Sequence, residues 1–403
     1  MTITQKVNEV YNKHNPSLYL NNLSQVDKFI KNRINLLTAL KLPERIFQNS
    51  TLIDYGSGTG LNTLVYDYLG ANCTLVEYDK KSYQYSKDLF KKLSKNKYKI
   101  YNKDIFSFRT NKKYDFVISN GVAHHTKNPI LNLKICLNSL KNNGFFILGI
   151  GETNGFFLRN LQRLILYSLS NDREEIIQFA KILFKDHLQR SKKFSGRTVN
   201  EIIADTYLNP KINTLSLNQL TNFFKRNNIE QYSFYGTIKS LDNLLEIDTN
   251  QFQLKNSNKN KNFKKNKIKI NLNLNDLRSF SLSNNFYKQS QSFVYSKISV
   301  LNNNLNKLTS SINDNDFKKK KKLYINLVKS IYSNISNFDK VDLLNKKSNL
   351  KFLKELEFLI KILNTSIIRK KKLFKIKEYL LNCKVLLKGF CGVGMNYLVG
   401  YKK

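Results

Sequence analysis

One stretch of the chain combines an acidic side chain with a row of glycines at a spacing that suits ligand binding. Within residues 51–60 an apolar run ends in Asp54, and glycines follow at alternate positions from Gly56. Glycine allows positive φ angles and lets a ligand lie close to the backbone. A helix-compatible segment follows, and a helix start offers free N–H groups and partial positive charge. The pattern predicts a strand, a turn and a helix that bind a nucleotide-like ligand, although an ordinary glycine-rich loop has the same residues.

Further acidic residues stand near the ends of predicted strands. Glu77 lies in the predicted strand 73–79, a helix length after the glycines. A carboxylate there can accept two hydrogen bonds from a ribose diol, and Tyr78 could lie against an adenine ring. Asp104 follows a short strand, where it could bond an adenine amino group while Ile105 packs on the ring. Taken singly, such residues are equally typical of solvated surfaces and turns.

Two adjacent histidines are candidates for proton transfer. His124 and His125 lie in the loop that follows a predicted strand at 114–120. The imidazole pKa lies near neutrality, so a histidine in this loop could accept a proton from a reacting group. The same side chains would also suit packing or hydrogen bonding within the loop itself.

The elements that must position these residues alternate between strand and helix. Five predicted strands and the helical patterns between them fall within about a hundred residues, which indicates βαβ units and a parallel sheet. Upstream, apolar residues at helical spacing between Val26 and Leu37 predict an amphipathic helix. Near the end of the chain, residues 396–401 read as a strand, and we expect this strand to return to the sheet.

Five segments, in this order, resemble the class I, Rossmann-like methyltransferases that depend on S-adenosylmethionine (SAM). The resemblance covers residues 48–155 and rests on IDYGSGTG, LVEYD, NKDIF, DFVISNGVAHHT and LKNNGFFILGIG. The loop NGVAHHT is similar to that of methyltransferases acting on small molecules, such as quinone C- and O-methyltransferases. The resemblance implies an α/β fold with a mostly parallel sheet, an antiparallel last strand and helical insertions.

The resemblance also implies a role for each matching residue. The methionine part of SAM would lie on Gly56, Ser57, Gly58 and Gly60, and its amino group near Asp54. Glu77 would hold the ribose, Asp104 and Ile105 would hold the adenine, and Asn120 and Gly121 would lie beside the sulfonium. A nicotinamide dehydrogenase would instead carry GxGxxG, whereas this chain has GxGxG with Leu61 at the later site.

The rest of the chain divides by composition. The resemblance implies that an insertion after the fifth strand roofs the substrate pocket, with His187, Arg197, Asp205 and Tyr207 as candidate substrate contacts. An arginine there suits a carboxylate or phosphate, and a salt-bridged lid without substrate contact is the alternative. We expect an N-terminal helical cap at 1–47, a SAM-binding core at 48–155, a lid at 156–212, the end of the core at 213–240, a Lys- and Asn-rich helical appendage at 241–382 and C-terminal strands at 383–403.

The charge of the chain favours an anionic partner. Its 403 residues include 68 Lys and Arg against 29 Asp and Glu, a formal net charge of +39. RNA is therefore a candidate partner, although biased codon usage would give the same composition. The four cysteines show no metal-like spacing, so no metal site is predicted. With no leader and no long apolar run, the sequence predicts a cytoplasmic protein without a transmembrane segment.

These observations predict a methyltransferase that uses SAM to methylate an oxygen or carbon of a small-molecule acceptor. The charge favours a first alternative, a tRNA- or rRNA-modifying methyltransferase. A non-catalytic protein of this fold that serves as a scaffold is a second alternative. The acceptor itself cannot be read from the sequence.

Overall fold

The protein is built around one sheet of seven strands flanked by helices. The computed structural model describes residues 18–235, apart from 21, 154–155, 171, 196 and 216, and separate shorter stretches from there to residue 403. The strands are β1 (Thr51–Tyr55), β2 (Asn72–Glu77), β3 (Tyr98–Asn102), β4 (Tyr114–Asn120), β5 (Leu140–Gly151), β6 (Ile229–Tyr235), β7 (Ile238–Lys239), β8 (Glu246–Ile247) and β9 (Met395–Lys402). Strands β7 and β8 form a separate two-stranded ribbon.

Helices pack against the sheet, and further helices after β5 form a separate layer beside it. They are α1 (Leu23–Ala39), α2 (Leu61–Tyr68), α3 (Lys80–Leu93), α4 (Pro129–Asn138), α5 (Phe157–Leu169), α6 (Arg173–Leu183), α7 (Lys185–Ser195), α8 (Val199–Ile203), α9 (Leu217–Arg226) and α10 (Leu373–Asn382). Short 3₁₀ turns occupy Glu44–Phe47 and Ala123–His125, and a π-helix occupies Ala204–Leu208.

The main sheet has the strand order β3-β2-β1-β4-β5-β9-β6. Strands β1 to β5 pair in parallel, whereas β9 runs antiparallel to both of its neighbours. Leu52 and Ile53 are both fully buried on β1, as expected for a parallel strand with packed faces on both sides. The predicted α/β fold, with a mostly parallel sheet and an antiparallel last strand, is confirmed.

Strand β9 enters the sheet from the far end of the chain. It lies between β5 and β6, where Leu398 is in register with Leu148 and with Phe234. A side chain on Gly400 would collide with Ile229, so a glycine lets the two strands meet without a clash. The last residues of the chain are therefore part of the sheet that carries the core.

The lid, defined here as residues 156–212, shares a hydrophobic core with the appendage. Its buried side chains, among them Ile176 and Ile203, form one cluster with Val328, Leu359 and Ile376 from beyond residue 241. The described part of the appendage thus extends the lid.

Most predicted elements are present with shifted ends, and some lie outside the described residues. The fifth strand begins four residues earlier than the predicted 144–150, and α7 was not predicted because its sequence is mostly polar. The sequence also predicts a helix at 277–300, a strand at 384–390 and basic clusters at 318–322 and 369–372. Apart from residues 300 and 322, all of these lie outside the described residues. Among the residues described, no helix is long and apolar enough to cross a bilayer.

Candidate functional site

The carboxyl ends of four adjacent strands bring the predicted ligand residues to one edge of the sheet. The parallel register pairs Tyr55 with Val76 and Glu77 with Asn102, while Asp54 pairs with Ile118. The glycine turn and the loops after β2, β3 and β4 therefore start side by side. In open α/β sheets this edge is where ligands bind.

The glycine turn needs glycine for its backbone and for its packing. Gly56, Gly58 and Gly60 have φ angles of +75°, +57° and +77°, in the left-handed region. A Cβ on Gly60 would lie 3.0 Å from the Cβ of Ser86, so α2 could not begin so close to α3. A Cβ on Gly56 would lie 2.5 Å from a methyl group of Val122, which covers this side of the turn.

The carboxylate of Glu77 lies against the glycine turn. It accepts hydrogen bonds from the backbone N–H of Gly58, at 2.7 Å, and of Asp79, at 2.8 Å. The side chain is 9% exposed, and burial raises its pKa to about 7 against the lowering effect of these hydrogen bonds. A carboxylate has about four acceptor positions, so Glu77 retains capacity for ligand hydroxyl groups.

A second buried carboxylate lies beneath the turn with one oxygen unused. Asp54 accepts a hydrogen bond from the Thr63 hydroxyl at 2.6 Å through Oδ2, while Oδ1 has no partner among the described residues. Burial raises the Asp54 pKa to about 6, although Thr63 and the charge of Arg33 oppose the rise. The Ser57 hydroxyl is also buried without a described partner. Buried polar atoms of this kind mark a place where a ligand group is missing.

The loop after β3 places the predicted adenine residues at the same edge. Lys103 N–H bonds the Glu77 carbonyl at 3.1 Å, which holds the start of this loop against β2. The Asp104 carboxylate accepts the Phe106 N–H at 2.9 Å, and Ile105 is buried in the core. Tyr78 is 42% exposed. Contact of these side chains with adenine stays a prediction.

The end of β4 opens towards a pocket between α1, α2 and the sheet. Gly121 has a φ angle of +78°, and a Cβ there would meet no atom within 4 Å. The Asn120 side chain packs over Gly149, where a larger residue would collide with it. The pocket beside it is lined by Arg33, Leu36, Leu37, Leu40, Asn62, Val65, Tyr66, Ile118, Asn120, Ile147 and Tyr397.

The comparisons with known proteins agree with this arrangement. Residues 24–206 match a family model described as a methyltransferase domain. This part of the chain is similar to the class I methyltransferases. The methyl donor of the class is SAM. Among curated proteins, none matches the sequence.

Several solved structures resemble the methyltransferase domain at low identity. PKMT2 from Rickettsia typhi, solved with AdoHcy, is 18% identical with a TM-score of 0.39, over 49% of this chain and 42% of that one. Magnesium protoporphyrin IX methyltransferase from Synechocystis PCC 6803, solved with SAH, is 12% identical with a TM-score of 0.33, over 58% and 86%. The YcgJ protein of Bacillus subtilis is 14% identical with a TM-score of 0.31, over 51% and 74%.

The residues of the turn fit the chemistry of SAM. The donor carries an ammonium, a ribose diol and a sulfonium, so it needs acceptors at two separate places. The free oxygen of Asp54 and the hydroxyl of Ser57 suit the ammonium, and the remaining acceptor positions of Glu77 suit the diol. The orphaned oxygen of Asp54 is the observation that fits a cationic ligand best.

A polar cluster joins the lid to the loop between β4 and α4, residues 121–128, which is called the histidine loop below. His125 Nε2 lies 3.4 Å from Asp205 Oδ1, and Arg197 Nη1 bonds Asp205 Oδ2 at 3.0 Å. On the other side of the ring, His125 Nδ1 lies 3.0 Å from the Asn209 amide nitrogen and 3.2 Å from the Lys211 carbonyl. Arg197 and His125 hold the pKa of Asp205 well below its usual range, although burial opposes them.

The side chain of His124 is more deeply buried than that of His125. Its Nδ1 accepts the Gly151 N–H at 3.2 Å, and the side chain is 3% exposed. Burial lowers the His124 pKa well below its usual value, with a smaller contribution from His125, so the ring stays neutral. Its backbone carbonyl accepts the Asn213 N–H at 2.6 Å. These contacts tie His124 into the loop, and a catalytic role for either histidine stays a prediction.

The other predicted substrate residues lie behind this cluster. Tyr207 is fully buried and donates its hydroxyl hydrogen to Gln162 at 2.8 Å, so its side chain packs inside the lid. His187 is buried, and its pKa falls to about 3 because of burial and the charges of Arg159 and Arg190. Sequence reasoning missed Arg159, which belongs to no motif and lies in a helix that also carries Asn160, Gln162 and Arg163. Contact of His187, Arg197, Asp205 or Tyr207 with substrate stays a prediction.

Within the described part of the chain, no group of three or more His, Cys, Asp or Glu side chains is arranged to hold a metal ion. Cys73 and Cys136 are buried free thiols. Burial raises the pKa of Cys136, so this thiol remains protonated at neutral pH.

Proposed function

We propose that the protein transfers a methyl group from SAM to an oxygen or carbon atom of a small-molecule acceptor. The observation that carries this proposal is the attachment of the lid to the histidine loop. The amide nitrogen of Asn209, in the lid, lies 3.0 Å from His125 Nδ1. Just after the lid, Asn213 donates its side-chain amide to the Thr126 carbonyl at 2.7 Å and its backbone N–H to the His124 carbonyl. Together with the pair of His125 and Asp205, these bonds hold the lid across the end of β4. A covered site suits a small acceptor better than a long polymer.

The turn and its carboxylates account for donor binding. When bound, SAM supplies an electrophilic methyl group. Asp54 and Ser57 would hold the ammonium, Glu77 the ribose, and Asp104 with Ile105 and Tyr78 the adenine. The loop from Asn120 would hold the acceptor in line and exclude water, which is most of what such a transfer needs from a protein.

The surroundings of His125 suit a proton acceptor. A neutral ring can donate from Nε2 to Asp205 and accept from the Asn209 amide at Nδ1. A protonated ring can keep the bond to Asp205 and donate from Nδ1 to the Lys211 carbonyl. Both charge states therefore have partners, which favours His125 over His124 for removal of a proton from the acceptor.

The experiment supplies SAM with a labelled methyl group to the purified full-length protein. A small-molecule extract and total RNA are offered separately, with a Glu77→Ala variant as the control for donor binding. We expect label in the small-molecule fraction with the wild type and none with the variant. Label in RNA alone, with binding that weakens steeply as salt rises, would replace this proposal with the RNA-modifying alternative.

The scaffold alternative predicts no SAM binding by the wild-type protein. A direct titration with SAM, carried out before any acceptor is added, separates it from both enzymatic functions.

A further inference from the structure

Near the start of α5, the guanidinium of Arg159 lies where the lid meets the histidine loop. The ring centroid of Phe156 lies 5.8 Å from that of His124, and the Arg159 guanidinium lies 4.7 Å above the Phe156 ring. Asn160 follows on the same helix, one turn after Phe156, so the three side chains share one side of the lid. This side faces the loop that we assign to methyl transfer.

Among the described residues, Asp205 is the one carboxylate whose charge acts on Arg159, and both of its oxygens already have partners. Asp205 uses one oxygen for His125 and the other for Arg197, at 3.4 Å and 3.0 Å. Arg159 is half-buried, forms no ion pair with a described carboxylate, and its Nε has no described hydrogen-bond partner. The cluster therefore keeps a positive charge that the described residues do not neutralise.

Two neighbouring polar side chains are buried without a full set of partners. Asn160 is 1% exposed, and neither its amide nitrogen nor its oxygen has a described partner. His187 is 6% exposed, its Nε2 has no described partner, and the charge of Arg159 acts on it. A buried polar group without a hydrogen bond lowers the stability of the folded protein, so such groups call for a ligand.

We propose that Arg159, together with Asn160 and His187, receives an anionic group of the methyl acceptor, a carboxylate or a phosphate. This inference rests on the proposed function for the position of the acceptor. A guanidinium offers paired N–H donors that match either anion, and the Asn160 amide adds a donor. Arg197, which the sequence suggested for this role, is instead occupied by Asp205.

The test measures anion binding by the full-length protein at constant ionic strength. Sodium phosphate or sodium acetate replaces chloride, and the thermal midpoint is recorded against anion concentration, because a ligand of the folded state raises it. Arg159→Gln is compared with Arg226→Gln, which removes the same charge from an exposed position at the end of α9. We expect both the wild type and Arg226→Gln to bind the anion. We expect the affinity of Arg159→Gln for the anion to be lower by about tenfold or more.

The part of the response that Arg159→Gln loses identifies the group, since phosphate also stabilises folded proteins without a specific site. A larger loss with phosphate would assign a phosphate to the acceptor, and a larger loss with acetate a carboxylate. An Arg159→Gln response equal to that of Arg226→Gln would overturn the inference.

A second variant keeps the test decisive if Arg159→Gln does not fold. Asn160→Leu replaces an amide that has no described partner by an apolar side chain of similar size. We expect an equal or higher midpoint without anion, and weaker anion binding. Unchanged anion binding by Asn160→Leu would also overturn the inference. SAM is titrated in parallel, and failure of the wild type to bind SAM refutes the proposed function whatever the anion result.

Discussion

The backbone N–H of Gly58 donates a 2.7 Å hydrogen bond to the carboxylate of Glu77. This bond ties the glycine turn after β1 to the end of β2. The same carboxylate accepts the N–H of Asp79, whose side chain caps α3. Glu77 therefore holds the turn in shape and still faces the ligand side with spare acceptor capacity.

The affinity for SAM should depend on pH through Glu77. Burial raises its pKa to about 7, and the ribose hydroxyls donate to the ionised form, so binding must remove the proton that the free protein carries below this pH. We expect the dissociation constant to be constant above about pH 8 and to rise as pH falls towards 6, by at most about tenfold per unit. Calorimetric titrations across this range measure it.

Glu77→Gln provides the control, since this side chain does not titrate. Any pH dependence of SAM affinity that comes from Asp54, whose pKa is about 6, or from SAM itself remains in the variant. Identical pH profiles for wild type and variant would contradict the role of Glu77.

Two glycines allow backbone strain to be separated from steric collision. Gly56 and Gly121 have φ angles of +75° and +78°, but an added Cβ meets Val122 at Gly56 and open space at Gly121. We expect Gly121→Ala to lower the free energy of unfolding by about 1–2 kcal/mol, and Gly56→Ala to lower it by a further ~1–3 kcal/mol. Urea unfolding measures both, and equal losses would show that Val122 does not constrain the turn.

The lid and the histidine loop should be coupled through His125 and Asp205. We expect a double-mutant cycle with His125→Ala and Asp205→Ala to give a coupling free energy of about 1–2 kcal/mol in stability. Asp205→Ala alone should cost more than His125→Ala, because it leaves Arg197 without its carboxylate. Strictly additive losses in urea unfolding would mean that the two side chains do not interact in solution.

The end of the chain should be essential to the core. A protein ending at residue 240 lacks β9, which leaves β5 and β6 without the strand that joins them. We expect loss of cooperative unfolding and of SAM binding, as followed by circular dichroism and calorimetry. Removal of Lys403 alone, which makes only an exposed ion pair with Glu230, should change neither. A soluble truncated protein that still binds SAM would disprove this requirement.

The sequence predicted those parts of the fold that depend on local patterns. The glycine turn and the strands that end at Glu77 and Asn120 carry apolar runs and turn residues close together, so their order and their parallel pairing follow from spacing. The place of β9 also followed, although its pairing with β5 spans most of the chain, because the family resemblance supplied that strand.

The lid cluster could not be assembled from the sequence in the same way. The sequence analysis named His125, Arg197 and Asp205 as separate candidates. Their contacts with one another depend on a π-helix at Ala204–Leu208, which the spacing of apolar residues does not predict. Arg159 was not predicted as a site residue, because it is one of several polar residues on α5 and arginines on helices are usually solvated. Arg159 becomes a candidate anion ligand because Asp205 is already paired with His125 and Arg197, and these pairs are visible only in the folded structure.

The most direct measurement is a calorimetric titration of the full-length protein with SAM, beside Glu77→Ala and the control Glu230→Ala, whose side chain lies on the distant strand β6. The account predicts one SAM per chain for the wild type and the control, and an affinity lower by about tenfold or more for Glu77→Ala. No binding by the wild type, or equal affinity in all three proteins, would contradict it.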